Sequence, residues 1–206
     1  MNSMAKLMIG AIGSAALLTM VSTAGAQDAP VRIRGSIEAV DGQVVSIKAR
    51  DGSAQKVTLT DNATIAAVVN AKLSDIKQGS YVGATAMPET DGSWRAVEVH
   101  IFLESMRGAG EGHRPWDLQP KSTMTNATVD QMVSAVDGQT LTLKYKDGDK
   151  KILVPKEAPI VSYEPGSKSD LKPGAKIFIG GATKKPDGSL ETNRINVGKN
   201  GVTPPM

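Results

Sequence analysis

The chain has 206 residues, no cysteine, and a formal net charge of +3 from 24 basic and 21 acidic side chains. The small charge gives no reason to expect nucleic acid as a partner, and aromatic residues, at 3% of the chain, are too few for the stacking platforms of single-strand binders. The lack of cysteine excludes disulfide bridges, so folding depends on buried apolar surface.

The first 26 residues have the three parts of a secretory signal peptide. Lys6 lies in a short polar start, residues 7–21 are mostly apolar, and the small residues at 24–26 form a cleavage motif. We expect cleavage before Gln27 and a periplasmic or secreted location. The apolar run is shorter than the roughly 20 residues of a spanning helix. No later segment approaches that length, so the sequence predicts no membrane span in the mature chain.

The mature sequence contains an internal repeat. The pentapeptide at 39–43 returns at 135–139, and two further Asp-Gly turns recur in the same order at the same offset of 96 residues. A Ser-Asp-aliphatic-Lys motif recurs with an offset of 95, at 74–77 and 169–172. Two copies of this length indicate tandem domains instead of a solenoid. The predicted organisation is a signal peptide at 1–26, units at 27–102 and 123–198, a Gly/Pro-containing linker at 103–122, and a flexible tail at 199–206.

Each unit reads as five strands with one short helix. Residues 31–40 alternate apolar and polar side chains, and a two-residue loop at Asp41 and Gly42 is expected to turn the chain back into a second strand. A break at Asp61 and Asn62 separates the third strand from a β-branched run, and a short helix follows. The predicted fold class is therefore all-β, with two tandem OB-like Greek-key barrels. An SH3-like barrel or a small sandwich is the alternative.

Three segments of the chain, at 39–42, 74–83 and 110–117, resemble a group of uncharacterised secreted proteobacterial proteins built from small β-barrel domains of unknown function. The resemblance covers essentially the whole mature chain and implies an exported β-barrel protein. Some members of the group carry a label as metal transporter permeases. The missing spanning segments conflict with a permease mechanism, but the label implies a metal context.

The segment between the repeats is the first candidate site. It carries one of the two histidines and one of the two tryptophans within four residues, in a glycine-containing stretch without a hydrophobic period. We expect this segment to be either a packed clasp between the units or a ligand site. The candidate binding residues are His113, Arg114, Trp116 and Asp117.

The last strand of the first unit is the second candidate. Strict alternation would place Trp94, Glu98, His100 and Phe102 on its outward face, which is more apolar than the equivalent face of the second unit. Either the linker or the other barrel covers this face, or it binds a ligand. Trp94, His100 and Phe102 are therefore further candidate binding residues.

A copper-type metal site is the most specific alternative. Imidazole and thioether ligands together favour Cu(I). The candidate ligands are His100, His113, Met106 and Met124. In its histidine, methionine and tryptophan content the chain is similar to small periplasmic copper-binding OB proteins, although no compact His-x-His or Met-x-x-Met spacing occurs.

Catalytic signatures are missing from the sequence. The glycines at 108–112 do not have the spacing of a dinucleotide fingerprint, and neither a Gly-x-Ser-x-Gly elbow nor a His-Glu-x-x-His pair occurs. The sequence thus predicts a non-catalytic, exported binding or accessory module without an organic cofactor, whose partner is a periplasmic protein or a metal ion. An uncharacterised enzyme is the remaining alternative.

Overall fold

The computed structural model describes residues 30–206, so the predicted signal peptide lies outside the described residues. This range forms strands and three single-turn 3-10 helices at Leu73–Asp75, Glu104–Met106 and Lys168–Asp170, and it confirms the predicted all-β class. None of the helices in this range is long and apolar enough to cross a bilayer. The strands are β1 (Val31–Asp41), β2 (Val44–Ala49), β3 (Ala54–Asn70), β4 (Tyr81–Pro88), β5 (Trp94–Ile101), β6 (Gly112–Pro115), β7 (Thr123–Ala135), β8 (Gly138–Tyr145), β9 (Gly148–Pro155), β10 (Ile160–Pro165), β11 (Lys176–Lys184) and β12 (Leu190–Gly198).

The first hairpin turns one residue later than predicted. Asp41 pairs with Val44, so the two loop residues are Gly42 and Gln43. Gly42 has a φ of 59°, a left-handed value that glycine adopts without the steric cost of a side chain. The Asp-Gly signal therefore locates the hairpin, and the strand register decides which residues form its loop.

Five strands close into a barrel in the order β1, β2, β3, β12, β11 and back to β1. The pairs are antiparallel except for β3 with β12, which run parallel from the pair Val57 and Leu190 to the pair Val68 and Gly198. We call this ring the first barrel. It takes three strands from the first sequence repeat and two from the second.

Five of the other strands form a second group, which we call the second ring, with two strands from the first repeat and three from the second. Strands β4 and β5 of the first repeat pair with β7, β8 and β9 of the second, in the order β5, β4, β7, β8, β9. Strand β5 completes this second ring by pairing parallel with β9 at Arg95 and Leu153 and then with β10 from Val99 to Ile101. The prediction that each repeat closes its own barrel is not confirmed, because each ring contains strands of both repeats. The boundaries 27–102 and 123–198 delimit sequence repeats and stay predictions as domain boundaries.

Strand β3 connects the two rings. It continues without interruption past Asp61 and Asn62, where the sequence predicted a break. Its first five residues pair antiparallel with β2, and its last five residues pair antiparallel with β10. The equivalent segment of the second repeat is divided into β9 and β10 by Pro155 and Pro159, which have no backbone N–H to donate to a neighbouring strand.

Three buried clusters form the core, and each draws on both repeats. The first fills the first barrel with residues such as Ile47 and Ile195, and the second fills the second ring with residues such as Val99 and Leu141. The third lies between the rings and contains Ala66, Val68, Met124, Val161, Tyr163, Phe178 and Met206, with Phe102, Leu103, Met106, Trp116 and Val202 packed against it. We call it the junction cluster.

Two segments expected to be irregular are built into the fold. The linker contributes strand β6, which pairs with the first four residues of β7. The tail, predicted to be flexible, packs into the junction cluster, where Met206 is 1% exposed and its carbonyl oxygen accepts a hydrogen bond from Arg34 Nε at 2.8 Å. Both segments have few apolar residues and no periodic pattern. Their order comes from long-range contacts, which the local sequence does not indicate.

The shared strands predict that the two rings unfold as one unit. Ile47→Ala in the first barrel and Leu141→Ala in the second ring each remove a fully buried side chain, at a cost of about 2 to 5 kcal/mol in the free energy of unfolding. In urea titrations followed by circular dichroism, each variant should show a single transition at lower urea. Two separated transitions, with only one moved by each substitution, would mean that the rings are independent.

Candidate functional site

A cleft of about 650 Å³ lies at the junction of the two rings. Side chains from both repeats line it, together with the segment between the repeats and the last residue, Met206. Five of the residues named from sequence line this cleft: His100, Phe102, Arg114, Trp116 and Met124. The structure therefore brings most of the two sequence candidates into one place.

The cleft face of β5 carries a buried carboxylate and imidazole pair. Glu98 is fully buried, and its Oε1 accepts a hydrogen bond from the backbone N–H of Thr85 at 3.2 Å and another from the Thr85 hydroxyl at 2.5 Å. Its Oε2 lies 3.1 Å from His100 Nδ1, within hydrogen-bonding distance. The pair fixes the orientation of the His100 ring at the wall of the cleft.

Gly83 on β4 makes room for this arrangement. It is the register partner of both His100 and Asn126, which flank it on β5 and β7. A Cβ at this position would lie 2.1 Å from His100 Nε2 and 2.7 Å from Asn126 Oδ1. The two polar side chains thus converge over the backbone of Gly83, in space that only glycine leaves free.

Trp94 does not share the face of His100, contrary to the sequence prediction. The β4 and β5 register shifts at Thr85 and Ala86, so that one extra residue of β5 is accommodated between Glu98 and Ala96. This β-bulge inverts the alternation on its far side. Trp94 packs against the core of the second ring, with its ring 5.3 Å from that of His113.

The segment between the repeats folds over the cleft. The Ala109 carbonyl accepts hydrogen bonds from Asn126 Nδ2 at 3.0 Å and from the Tyr81 hydroxyl at 3.3 Å. The Gly110 carbonyl accepts one from Arg114 Nη1 at 2.6 Å. Gly110 has a left-handed φ of 57°, and this conformation lets the loop turn directly above these side chains.

Trp116 anchors the segment to the first barrel. Its ring lies 6.3 Å from that of Phe178 on β11, and the Arg32 guanidinium stacks on it at 4.1 Å. The Arg114 guanidinium approaches the same ring at 5.5 Å. The residues that tie the rings together therefore also line the cleft.

Asp117 lies at the rim and neutralises the outer arginines. Its carboxylate is 2.8 Å from Arg34 Nη2 and 3.6 Å from Arg32 Nη1. Burial opposes its ionisation, but the hydrogen bond from Arg34 and the charges of both arginines hold the pKa of Asp117 below its ordinary value.

Unpartnered buried polar atoms concentrate in this cleft. The described residues contain four buried side-chain nitrogen or oxygen atoms without a hydrogen-bond partner, and three belong to residues of the cleft wall: Trp116 Nε1, Asn126 Oδ1 and Asn196 Oδ1. Each such group costs about 1 to 3 kcal/mol when nothing bonds to it. The hydrogen bond from Asn126 Nδ2 to Ala109 fixes the direction of Oδ1. Residues of the cleft wall therefore carry both an unpaired donor and unpaired acceptors.

The four predicted metal ligands do not converge. Gly83, His100 and Asn126 form one cross-strand row, and the next row contains His113, whose Nδ1 lies 2.8 Å from the Thr125 hydroxyl. Adjacent rows of a sheet point to opposite faces, so His113 points away from the cleft that His100 lines. Met106 and Met124 pack in the junction cluster. Within residues 30–206, no group of three or more His, Asp or Glu side chains is placed to hold a metal ion.

The sequence prediction missed the half of the cleft that the second repeat supplies. Asn196 and Arg194 on β12 are the repeat equivalents of His100 and Glu98, and they line the same cleft with Tyr163. Burial, with a smaller contribution from Glu98, raises the pKa of Tyr163 far above its ordinary value and keeps the phenol neutral. The offset of 96 residues relates the face of β5 to that of β12 in the sequence. A sequence repeat does not, however, indicate that two equivalent strands line the same cleft.

Gly83→Ala tests the geometry at His100. The added methyl group would overlap His100 Nε2, so we expect the free energy of unfolding to fall by about 1 to 3 kcal/mol in urea titrations. Gly180→Ala is the matched control, because its Cβ would meet only the Phe178 ring at 3.5 Å. Equal stability of the two variants would contradict the described packing.

His113 predicts a component of the pH dependence of stability. Burial lowers the pKa of His113, and the charges of Lys150 and Arg114 lower it further. The unfolded chain therefore binds a proton first, and the free energy of unfolding falls as the pH drops below about 6.5. His113→Gln should lose less stability than the unsubstituted chain between about pH 7 and about pH 5, measured by urea unfolding. An equal loss in both proteins would show that His113 does not contribute.

Comparison of the chain with protein-family models, with curated proteins and with solved structures finds no match. The function is therefore inferred from the chemistry and geometry of the cleft, since a barrel fold alone does not specify one.

Proposed function

We propose that this chain is a non-catalytic binding protein that takes a small ligand into the cleft between the two rings. The observation that carries this proposal is the clustering of Trp116 Nε1, Asn126 Oδ1 and Asn196 Oδ1 around one cavity. Buried polar groups in proteins are rarely left without partners. A ligand with complementary donors and acceptors would satisfy them together.

Two further features support binding over catalysis. The acidic and phenolic groups at or beside the wall are engaged structurally, since Glu98 bonds to Thr85 and His100 and the neutral Tyr163 packs in the junction cluster. The volume of about 650 Å³ falls within the range of small-molecule sites. A role as an accessory module for a periplasmic protein remains part of the proposal, with the cleft as the site of its ligand.

We also propose that the protein is exported and that its rings are OB-like. Export rests on the signal-like composition of residues 1–26, with its basic start, apolar run and small-residue motif. The OB-like assignment is supported by the strand order of the first barrel. Numbered by their places in the repeat, its strands follow the order one, two, three, five, four, with the third and fifth parallel, as in a five-stranded Greek-key barrel.

The copper-carrier alternative gains no support from the geometry. Of its predicted ligands, His100 and Met124 line the cleft, while His113 points to the other face of the sheet. We therefore rank a small organic ligand first and include metal ions as one arm of the test.

The test is a thermal-shift screen of the mature chain against neutral, anionic and cationic fragments and against Cu(I) and Zn(II). Binding in the cleft should be lost in Gly180→Leu, since Gly180 lines the cavity and a side chain there projects toward the Phe178 ring without backbone strain. Thr183→Leu is the matched control, because Thr183 is an exposed residue of the same strand outside the cleft.

Hits that bind Thr183→Leu but not Gly180→Leu support the proposal. If no compound or ion binds, or if all hits bind both variants equally, the cleft is not a ligand site. Stoichiometric copper retained under reducing conditions and lost in His100→Ala would favour the carrier alternative.

A further inference from the structure

We infer that the ligand of this cleft is a small organic anion, with a carboxylate or phosphate group attached to an aromatic body. This inference rests on the proposed binding function and adds the chemical class of the ligand. It follows from the charge, the hydrogen-bonding groups and the apolar wall of the cleft.

The charged side chains that line the cleft have one sign. Arg32, Arg114 and Arg194 line the cavity, and no aspartate or glutamate side chain does so among the described residues. The two nearby carboxylates already have partners. Asp117 pairs with Arg34 and Arg32, and Glu98 bonds to Thr85 and His100. Within residues 30–206, neither Arg114 nor Arg194 forms a salt bridge.

The guanidiniums of Arg32 and Arg114 both lie close to the Trp116 ring, and their like charges repel each other. Burial lowers the pKa of Arg114, and the charge of Arg32 lowers it further. Asp117 is the counter-ion of Arg32 and Arg34, whereas Arg114 forms no salt bridge within residues 30–206. An unpaired charge beside another positive charge is unfavourable, and the cost grows as water is excluded. An anion bound between Arg114 and Arg32 would remove this repulsion.

The hydrogen-bonding groups fit an oxyanion. The guanidinium group presents parallel N–H donors that match the oxygen atoms of a carboxylate or phosphate. Trp116 Nε1, a group that only donates, is buried without an acceptor beside these arginines. On the wall formed by β7, Asn126 Oδ1 accepts, so a hydroxyl group on the ligand would complete the set.

The remaining wall is aromatic and suits a planar apolar body. The Phe102 and Tyr163 rings are 5.4 Å apart, and the His100 ring lies 4.8 Å from Phe102 in an edge-to-face arrangement. Phe178 closes the side next to Trp116. Ring contacts of this kind favour an aromatic ligand over a flexible aliphatic one.

The test uses the indole N–H signals of the two tryptophans in ¹⁵N-labelled mature chain. Trp116 lies in the cleft and Trp94 lies outside it, so one protein carries both probe and control. Titration with 4-hydroxybenzoate or with phenyl phosphate should move the Trp116 signal and leave the Trp94 signal in place. The neutral analogue 4-hydroxybenzamide should bind roughly tenfold more weakly, because it lacks the charge that pairs with arginine.

Arginine variants then locate the anion. Arg114→Gln and Arg194→Gln should each weaken 4-hydroxybenzoate binding by roughly tenfold, while Lys172→Gln, an exposed lysine outside the cleft, should change it by less than about twofold. An unchanged Trp94 signal in each variant reports that the fold is intact. If Arg114→Gln does not fold, Arg194→Gln alone decides the outcome, since Arg194 makes no salt bridge within the described residues.

Three results would overturn the inference. If 4-hydroxybenzamide binds as tightly as 4-hydroxybenzoate, the cleft is a ligand site that does not select an anion, and the proposed function stands. If both anions move the Trp94 and Trp116 signals equally, binding is general charge attraction. If neither anion binds, the ligand class is wrong, and the thermal-shift screen decides separately whether the cleft binds any ligand.

Discussion

The structure depends on the pairing of strand β3 with strands of the other sequence repeat. Its residues pair parallel with β12 from Val57 to Val68, and its last five residues pair antiparallel with β10. This strand is 17 residues long, which is enough to run from one ring into the junction with the next. Because β3 is shared, neither repeat completes a ring alone, and all three buried clusters contain residues of both.

The cleft is a consequence of this exchange. Strands β5 and β12, which are equivalent in the repeat, bring His100 and Asn196 to the same cavity. Equivalent strands of the two sequence repeats line the cleft, but the side chains at equivalent positions differ. The segment between the repeats occurs only once, and it adds Arg114 and Trp116. The cleft is therefore lined by equivalent positions of the two sequence repeats and by one segment without a counterpart.

The sequence predicted what local patterns determine. Alternation, Asp-Gly turns and the offset of 96 residues identified the strands, because turns and half-buried strands depend on neighbouring residues. The exchange of strands was not predictable, since pairing within a repeat and pairing between repeats bury the same apolar pattern. One bulge in β5 was sufficient to separate Trp94 from His100, and the aromatic candidates were only partly grouped as expected. Strand β6 and the buried Met206 gain their order from tertiary contacts that leave no periodic signal.

The strand exchange is tested most directly by nuclear Overhauser effects between backbone amide protons. In the structure Ala67 of β3 is paired with Val197 of β12, and the residue equivalent to Val197 in the first repeat is Ile101. We expect cross-strand effects between the amides around Ala67 and Val197 and none between Ala67 and Ile101. Cross-strand effects between Ala67 and Ile101 would show that each repeat closes its own ring, and the cleft described between the rings would then not exist in this form.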